Sequence, residues 1–414
     1  MQEKNISTFD FEQCMKCSIC DSACPMKASN PLYPGPKQAG PDGERYRLKS
    51  PEFFDYALKY CLNCKRCEVA CPSGVKVADL IAAAKLKYGK STRPIRDFSL
   101  ASTDLVGSIA SPFAPIVNPL LASKPVSGVM DALMGVDKRR TFPKYSRCKF
   151  EDWFRKEAPS QEGFTRRVSY FHGCYVNYNF PQLGKDFVEL MNACGYGIQL
   201  LDGEKCCGVA LLAGGFKEKA GRNAKANLEC ARRAVASGSE AVLATSSSCI
   251  FTMRDEYPNL LGIANEDILD SLKLATGFLF DKVESGEVKL AFKEGLKMHY
   301  AYHTACHMQR LGWYPYSIGL LKMVPGLELD ILPQECCGIA GTFGFKKENY
   351  DYSQAIGSKL FASIRESGAS AVVTDCETCK WQIEMSAGVP VVNPISLLVE
   401  CLDIRKTKEL NNGQ

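Results

Sequence analysis

The sequence predicts an α/β protein: an N-terminal helical domain built around clustered cysteines, then two repeated Cys-Cys-Gly domains with parallel strands. Three observations carry this. Cys14, Cys17, Cys20 and Cys24 crowd into eleven residues followed by Pro25, and the same spacing returns at Cys61, Cys64, Cys67, Cys71 and Pro72. After residue 165 the chain repeats itself around Cys206-Cys207-Gly208 and Cys336-Cys337-Gly338. Within each repeat apolar strands alternate with amphipathic helices, as in α/β units around a parallel sheet.

Composition narrows the function classes. The chain has 414 residues, 46% of them hydrophobic, enough for two or three domains with real cores. Its 21 cysteines could suggest a secreted disulfide scaffold. Three features argue against that: no secretory pattern in "MQEKNISTFD", a length far beyond disulfide-dependent mini-domains, and thiols too tightly clustered to pair with their neighbours. Thiolate-bound metal in a reducing compartment is the better account. A net charge of +5 with no dense basic run gives no support for nucleic-acid binding.

Residues 1–94 form the first expected domain. The C-x2-C-x2-C-x3-C-P run is the bacterial ferredoxin signature, in which the fourth cysteine of each run serves the other cluster. One 4Fe-4S cluster is expected on Cys14, Cys17, Cys20 and Cys71, and a second on Cys61, Cys64, Cys67 and Cys24. Zinc also accepts four thiolates, but the doubled spacing argues for iron. Between the runs lie the turn-rich "NPLYPGPKQAGPDGERYR" and the helical pattern "PEFFDYALKYC"; "VADLIAAAKLKYG" follows as another helix. This resembles the helical ferredoxin domain of respiratory iron–sulfur subunits.

Residues 95–165 read as a linker containing Leu105–Ser123, nineteen residues without charge. Pro112, Pro115 and Pro119 are expected to break any spanning helix there. The run is either a buried interdomain linker or a segment lying at a membrane surface or quinone pocket. Lys124, Lys138, Arg139 and Arg140 would suit anionic lipid.

The repeats span 166–292 and 293–414. "VSYFHGC" matches "MHYAYHTAC", "EKCCGVALLAGGF" matches "QECCGIAGTFGF", and "EAVLATSSSCIFTM" matches "SAVVTDCETCKWQI" without a gap. The order is strand, cysteine, helix, strand, Cys-Cys-Gly, long helix, strand, cysteine. Ligands of such sheets gather at strand carboxyl ends, where Cys174, Cys249, Cys306 and Cys379 fall. Each Cys-Cys-Gly is expected to open a helix whose N-terminus favours thiolate. The second repeat offers five thiols: Cys306, Cys336, Cys337, Cys376 and Cys379. The first offers four, Cys174, Cys206, Cys207 and Cys249, with Ser246 at the position of Cys376. Cys148, Cys194, Cys230 and Cys401 read as packing residues. Three of the four histidines, His299, His303 and His307, are expected on one strand. His303 and His307 flank Cys306 and are candidate proton donors, or else orient the cysteine loop; His172 precedes Cys174.

The strings "NPLYPGPKQAGPDGER", "ALKYCLNCKRCEVACPS", "STDLVGSIASPFAPIVN", "CCGIAGTFGFKKENY" and "VVTDCETCKWQIEMS" resemble the family of C subunits of bacterial anaerobic glycerol-3-phosphate dehydrogenase. More widely, the Cys-Cys-Gly repeats resemble the B subunit of heterodisulfide reductase and the iron–sulfur subunits of glycolate and lactate oxidases. The resemblance implies electrons arriving from flavin-bearing A and B subunits and leaving to menaquinone. It also implies a peripheral place on the cytoplasmic side of the inner membrane. It further implies a non-cubane 4Fe-4S cluster on the five-cysteine set. The departure at Ser246 leaves open whether the first repeat carries a further cluster or none.

From the residues alone, the chain lacks a G-x-G-x-x-G opening a helix after a strand, so no flavin is expected on it. An electron-transfer subunit is the leading expectation. The alternatives are a glycolate- or lactate-type oxidase subunit, a disulfide reductase acting at the five-cysteine set, and a zinc scaffold. The second repeat, with its extra thiol and its histidine pair, is expected nearer the terminal acceptor.

Overall fold

A computed structural model describes residues 11–50, 56–89 and 91–411. The N-terminal stretch read above for a leader, and Pro51–Asp55 of the pattern read as helical, lie outside these residues. Each repeat is built on a four-stranded, all-parallel sheet. In the first, β1 (Arg166–Phe171), β2 (Tyr196–Leu200), β3 (Val242–Ala244) and β4 (Leu272–Leu274) lie in the order β2-β1-β3-β4. In the second, β5 (Met298–Tyr302), β6 (Leu327–Ile331), β7 (Ala371–Val373) and β8 (Val391–Val392) lie in the order β6-β5-β7-β8. The registers correspond, Arg166 facing Tyr196 as Met298 faces Leu327. The fourth strand of each sheet was not expected from sequence; β8 is only two residues long. β1 and β5 each lie between two partners and have buried carboxyl ends, as apolar strands covered on both faces must.

Chain direction across each sheet reverses between its two middle strands. That is the switch point where strand carboxyl ends splay apart and leave room for a ligand. The short helices that follow β1 and β3 carry Cys174 and Cys249; those that follow β5 and β7 carry Cys306 and Cys379, with Cys376 at the N-cap of the latter. The expected helices are present: Pro181–Ala193, Lys217–Ala236 and Tyr350–Ser367, the last closed by left-handed Gly368. The two repeats share cores, in which Phe171 and Leu228 pack with Ala301 and Val372.

The N-terminal domain is helical around Val77–Tyr88, as read. The stretch expected to be turns is instead helical from Gln38 to Lys49. Gly40 serves close packing there: a Cβ on it would meet the Val77 side chain at 3.0 Å. Its core includes Cys336, Phe343 and Ile356, so this domain packs directly on the second repeat.

The uncharged run also differs from its reading. It forms a helical rod from Thr103–Ala110 through a 3-10 turn, Ser111–Phe113, into Ala114–Ala122. Pro112 and Pro115 each stand in the first turn of a new segment, where a missing N–H removes no bond; only Pro119 is interior. By length and composition Thr103–Ala122 could cross a membrane, and only 22% of it is buried. Leu105, Ile109, Phe113, Ile116 and Leu120 are all exposed along it. The basic residues assigned to lipid part company. Arg140 is buried, donating to Ser353 Oγ at 2.8 Å, to Gln382 Oε1 and to the Gly344 carbonyl. Arg139 pairs with Asp137 and Asp351.

Candidate iron–sulfur centres

In the N-terminal domain the same local device bends both cysteine runs. Lys16 and Ser18 flank Cys17 with positive φ, and Asn63 and Lys65 flank Cys64 likewise. Non-glycine residues are uncommon in that region, and four at matched positions mark a loop wound tightly around something. Cys24 caps the Pro25–Ser29 helix, its sulfur accepting from the Lys27 N–H at 3.5 Å. This aims it away from its own run. Burial, then the neighbouring Cys64 and Cys61, pushes the Cys24 thiol up to about 12. Burial, Asp21, Cys14 and Cys71 push Cys20 up to about 11. The fourth thiol of each run therefore sits with the other run.

Cys24, Cys61, Cys64 and Cys67 line one cavity, together with Tyr33. The Tyr33 hydroxyl is buried there without a hydrogen-bond partner. A buried orphan donor beside four thiols fits a bound cluster, whose sulfurs would accept its proton. Among the described residues no three His, Cys, Asp or Glu side chains gather tightly enough for a single metal ion.

In the second repeat Cys337 lies 3.4 Å from Cys379, sulfur to sulfur. Hydrogen bonding from Cys379 draws the Cys376 thiol down to about 7, against burial. Cys306 faces Cys64, Cys376 and Cys337, and Cys336 faces Cys337, Cys64 and Cys306. The five sulfurs thus share one neighbourhood, and Cys64 of the N-terminal domain lies within electrostatic reach of it, where Arg66 pairs with Glu335 at 3.5 Å. His303 is buried with both ring nitrogens unpartnered, and the Thr304 hydroxyl is likewise orphaned. These donors also fit a bound sulfur-rich group. Gly338 is left-handed, and a Cβ on it would collide with the Ser353 carbonyl. No helix opens directly after it, unlike Gly208, which caps Val209–Gly214.

The three histidines do not share a strand. His299 lies on β5 and pairs with Asp330; His303 follows the strand; His307 lies in the Cys306–Leu311 helix. His307 stacks on Phe251 at 4.4 Å and accepts from or donates to Ser248 Oγ at 3.1 Å. Burial and nearby Lys65 pull it down to about 4.

In the first repeat Cys206 stands 3.8 Å from Cys174, and Cys207 neighbours both Cys206 and Cys249. The Thr103 hydroxyl donates to Cys174 Sγ at 3.2 Å and lies 3.4 Å from Cys206 Sγ. The Ser246 hydroxyl donates to Glu377 Oε2 at 2.7 Å, so it is committed to the other repeat. His172 sits 3.3 Å from Glu151 and 3.4 Å from Glu204. Burial works against its charge, but the two carboxylates win and hold it at about 9. Of the four remaining cysteines, Cys194, Cys230 and Cys401 are buried as read, whereas Cys148 is exposed.

Residues 10–75 match the 4Fe-4S dicluster domain, and residues 168–254 and 300–384 each match the cysteine-rich domain family. Over 392 residues the chain is 54% identical to the C subunit of anaerobic glycerol-3-phosphate dehydrogenase from Escherichia coli K12, covering 95% of this chain and 98% of that protein. The chain belongs to that family. As a member it is an iron–sulfur subunit of the anaerobic glycerol-3-phosphate dehydrogenase type. The B subunit of fumarate reductase (CoM/CoB) from Methanothermobacter marburgensis is 23% identical over 400 residues, 93% of this chain and 71% of that one. Lactate utilization protein A 1 of Bacillus anthracis is 34% identical over 185 residues, 44% of this chain and 74% of that one.

Thr103, Tyr33 and Lys65 stand beside the thiols without having been singled out in the sequence. Lys65 follows Cys64 and Thr103 precedes the uncharged run by two residues, whereas no local signal marks Tyr33.

Proposed function

We propose that this chain carries electrons from a flavin-bearing A and B pair that oxidises glycerol 3-phosphate to menaquinone, at the cytoplasmic face of the inner membrane. The carrying observation is the junction at Cys64: it lines the cavity of its own set, and Arg66, two residues on, pairs at 3.5 Å with Glu335, the chain neighbour of Cys336 in the second repeat. Cys14, Cys17, Cys20 and Cys71 would hold one 4Fe-4S cluster, and Cys24, Cys61, Cys64 and Cys67 the next. Cys306, Cys336, Cys337, Cys376 and Cys379 would hold a non-cubane cluster, and Cys174, Cys206, Cys207 and Cys249 a further one. Each would supply one-electron redox chemistry, tuned by hydrogen bonds to sulfur from groups such as Tyr33. The exposed apolar row on Thr103–Ala122 supports a membrane contact, and kinship with one subunit of a multi-subunit dehydrogenase supports catalytic partners.

The disulfide-reductase alternative finds less support. The cavity beside Cys376 measures about 60 Å3, well below the several hundred expected of a substrate pocket. The deciding experiment is anaerobic co-purification with partners, iron analysis, and EPR during redox titration. Glycerol 3-phosphate should reduce the clusters only when the flavin subunits are present. Reduction by lactate or glycolate instead would move the chain to the oxidase reading, and an iron-free, zinc-loaded protein would end both.

A further inference from the structure

We propose that the cleft between the Thr103–Ala110 helix and the first Cys-Cys-Gly set binds and reduces the terminal acceptor, a planar quinone ring. The first repeat, not the second, is then the exit of the relay. This rests on the electron-transfer reading above.

Space favours the first repeat. The cleft measures about 320 Å3, within the range of small-molecule sites, against about 60 Å3 beside Cys376. Its lining includes Cys174, Cys206, Tyr178, Lys219, Leu105 and Ser108. Two thiols of the four-cysteine set therefore border an opening that fits an acceptor ring. Tyr178 offers an aromatic face, and the Lys219 ammonium offers a donor to a ring oxygen.

The neighbouring helix favours it too. Thr103 touches Cys174 and Cys206 directly, while Leu105, two residues on, lines the cleft and begins the exposed apolar row. A ring on a lipid-soluble tail could keep its tail along that row and put its head at the thiols. His303, buried near the second set, and His307, half-buried there, do not line this cleft.

The sets are also continuous. Cys64 faces the five-thiol set, and Cys376 Sγ lies 3.6 Å from the hydroxyl of Ser248, whose chain neighbour is Cys249. The order runs from the N-terminal domain through the second repeat to the first. Two electrons, delivered singly along that order by reduced iron–sulfur centres that return to their oxidised state, and two protons from solvent in the open cleft turn two ring carbonyls into two hydroxyls.

The test uses the full chain co-purified anaerobically with its partners and 2,3-dimethyl-1,4-naphthoquinone as probe, with binding read by equilibrium dialysis. Ser108→Trp fills the cleft, and Leu105→Trp, on its exposed rim, is a second, milder obstruction. Both should weaken probe binding about tenfold or more and abolish its reduction, while substrate still reduces every cluster EPR signal. Val392→Trp, filling the cavity beside Cys376, should leave probe binding unchanged. Wild-type affinity in both cleft variants, or loss of binding in Val392→Trp alone, overturns the assignment. Failure of the underlying reading would look different: clusters left oxidised by substrate, whatever the binding constant.

Discussion

At the scale of single residues, the crossing of the fourth cysteines is the sharpest expectation. Cys24 sits with Cys61 and Cys64, and Cys71 with Cys14 and Cys20. Cys24→Ser should therefore alter the EPR signal of the cluster anchored at Cys61, Cys64 and Cys67, and Cys71→Ser the other. Loss of the signal belonging to the mutated run would contradict the crossing. Lys65 is a second case. It is fully buried, pairs with Asp79, and lies near Glu68 and Glu256. Lys65→Met would strip Asp79 of its cation, while Glu68 keeps Arg310 and Glu256 keeps the Asn63 amide, and should cost about 3–5 kcal/mol. Anaerobic thermal unfolding of the loaded protein checks this; an unchanged melting temperature would mean the carboxylates are neutral when folded. These positions also show what the sequence discloses. Thiol spacing is a local property and survives reading along the chain. Nothing in "CLNCKRCEVAC" marks Lys65 as buried, because its partner Asp79 belongs to a helix that only the fold brings over it.

At the scale of elements, the rod from Thr103 to Ala122 separates pattern from geometry. Its lack of charge was legible, and so was the choice between linker and membrane surface. Its helicity was not, since three prolines read as breaks until Pro112 and Pro115 are known to stand in first turns, leaving only Pro119 inside a helix. Replacing Phe113 and Ile116 with Asp should lower partitioning onto anionic vesicles by about tenfold or more per side chain, as burial of each is worth about 1.5–3 kcal/mol. Flotation assays measure this; unchanged binding would make the rod an exposed linker only. Gly107 fixes how closely the rod approaches the first repeat, for a Cβ there would meet the Tyr178 ring at 2.6 Å. Gly107→Val should destabilise by about 1–3 kcal/mol through overpacking, and Tyr178→Ala should recover part of it. A double-mutant cycle with no coupling would show that this contact does not set the spacing.

At the scale of the whole molecule, the repeats were read correctly as α/β units from matched strings, yet their mutual packing was invisible. Ser246 reads as a missing ligand; in the fold it is a tie to Glu377, and Ser247 bonds the Asp375 carbonyl. Two equivalent loops meet, each contributing what the other lacks. Cys376→Ser should erase or alter one EPR signal and block electron delivery to quinone, while both N-terminal clusters stay reducible by substrate. Full quinone turnover in that variant would take the second repeat out of the path. The exposure of the thiols has a consequence for life in air. Cys17 lies at the surface, whereas Cys336, Cys337, Cys376 and Cys379 are buried. Dioxygen would reach the outermost of the proposed ligand sulfurs first, so on the electron order proposed above the end of the wire that receives electrons would also be the end that corrodes, and an aerated cell would lose its connection to the fuel before it lost the remainder of the circuit.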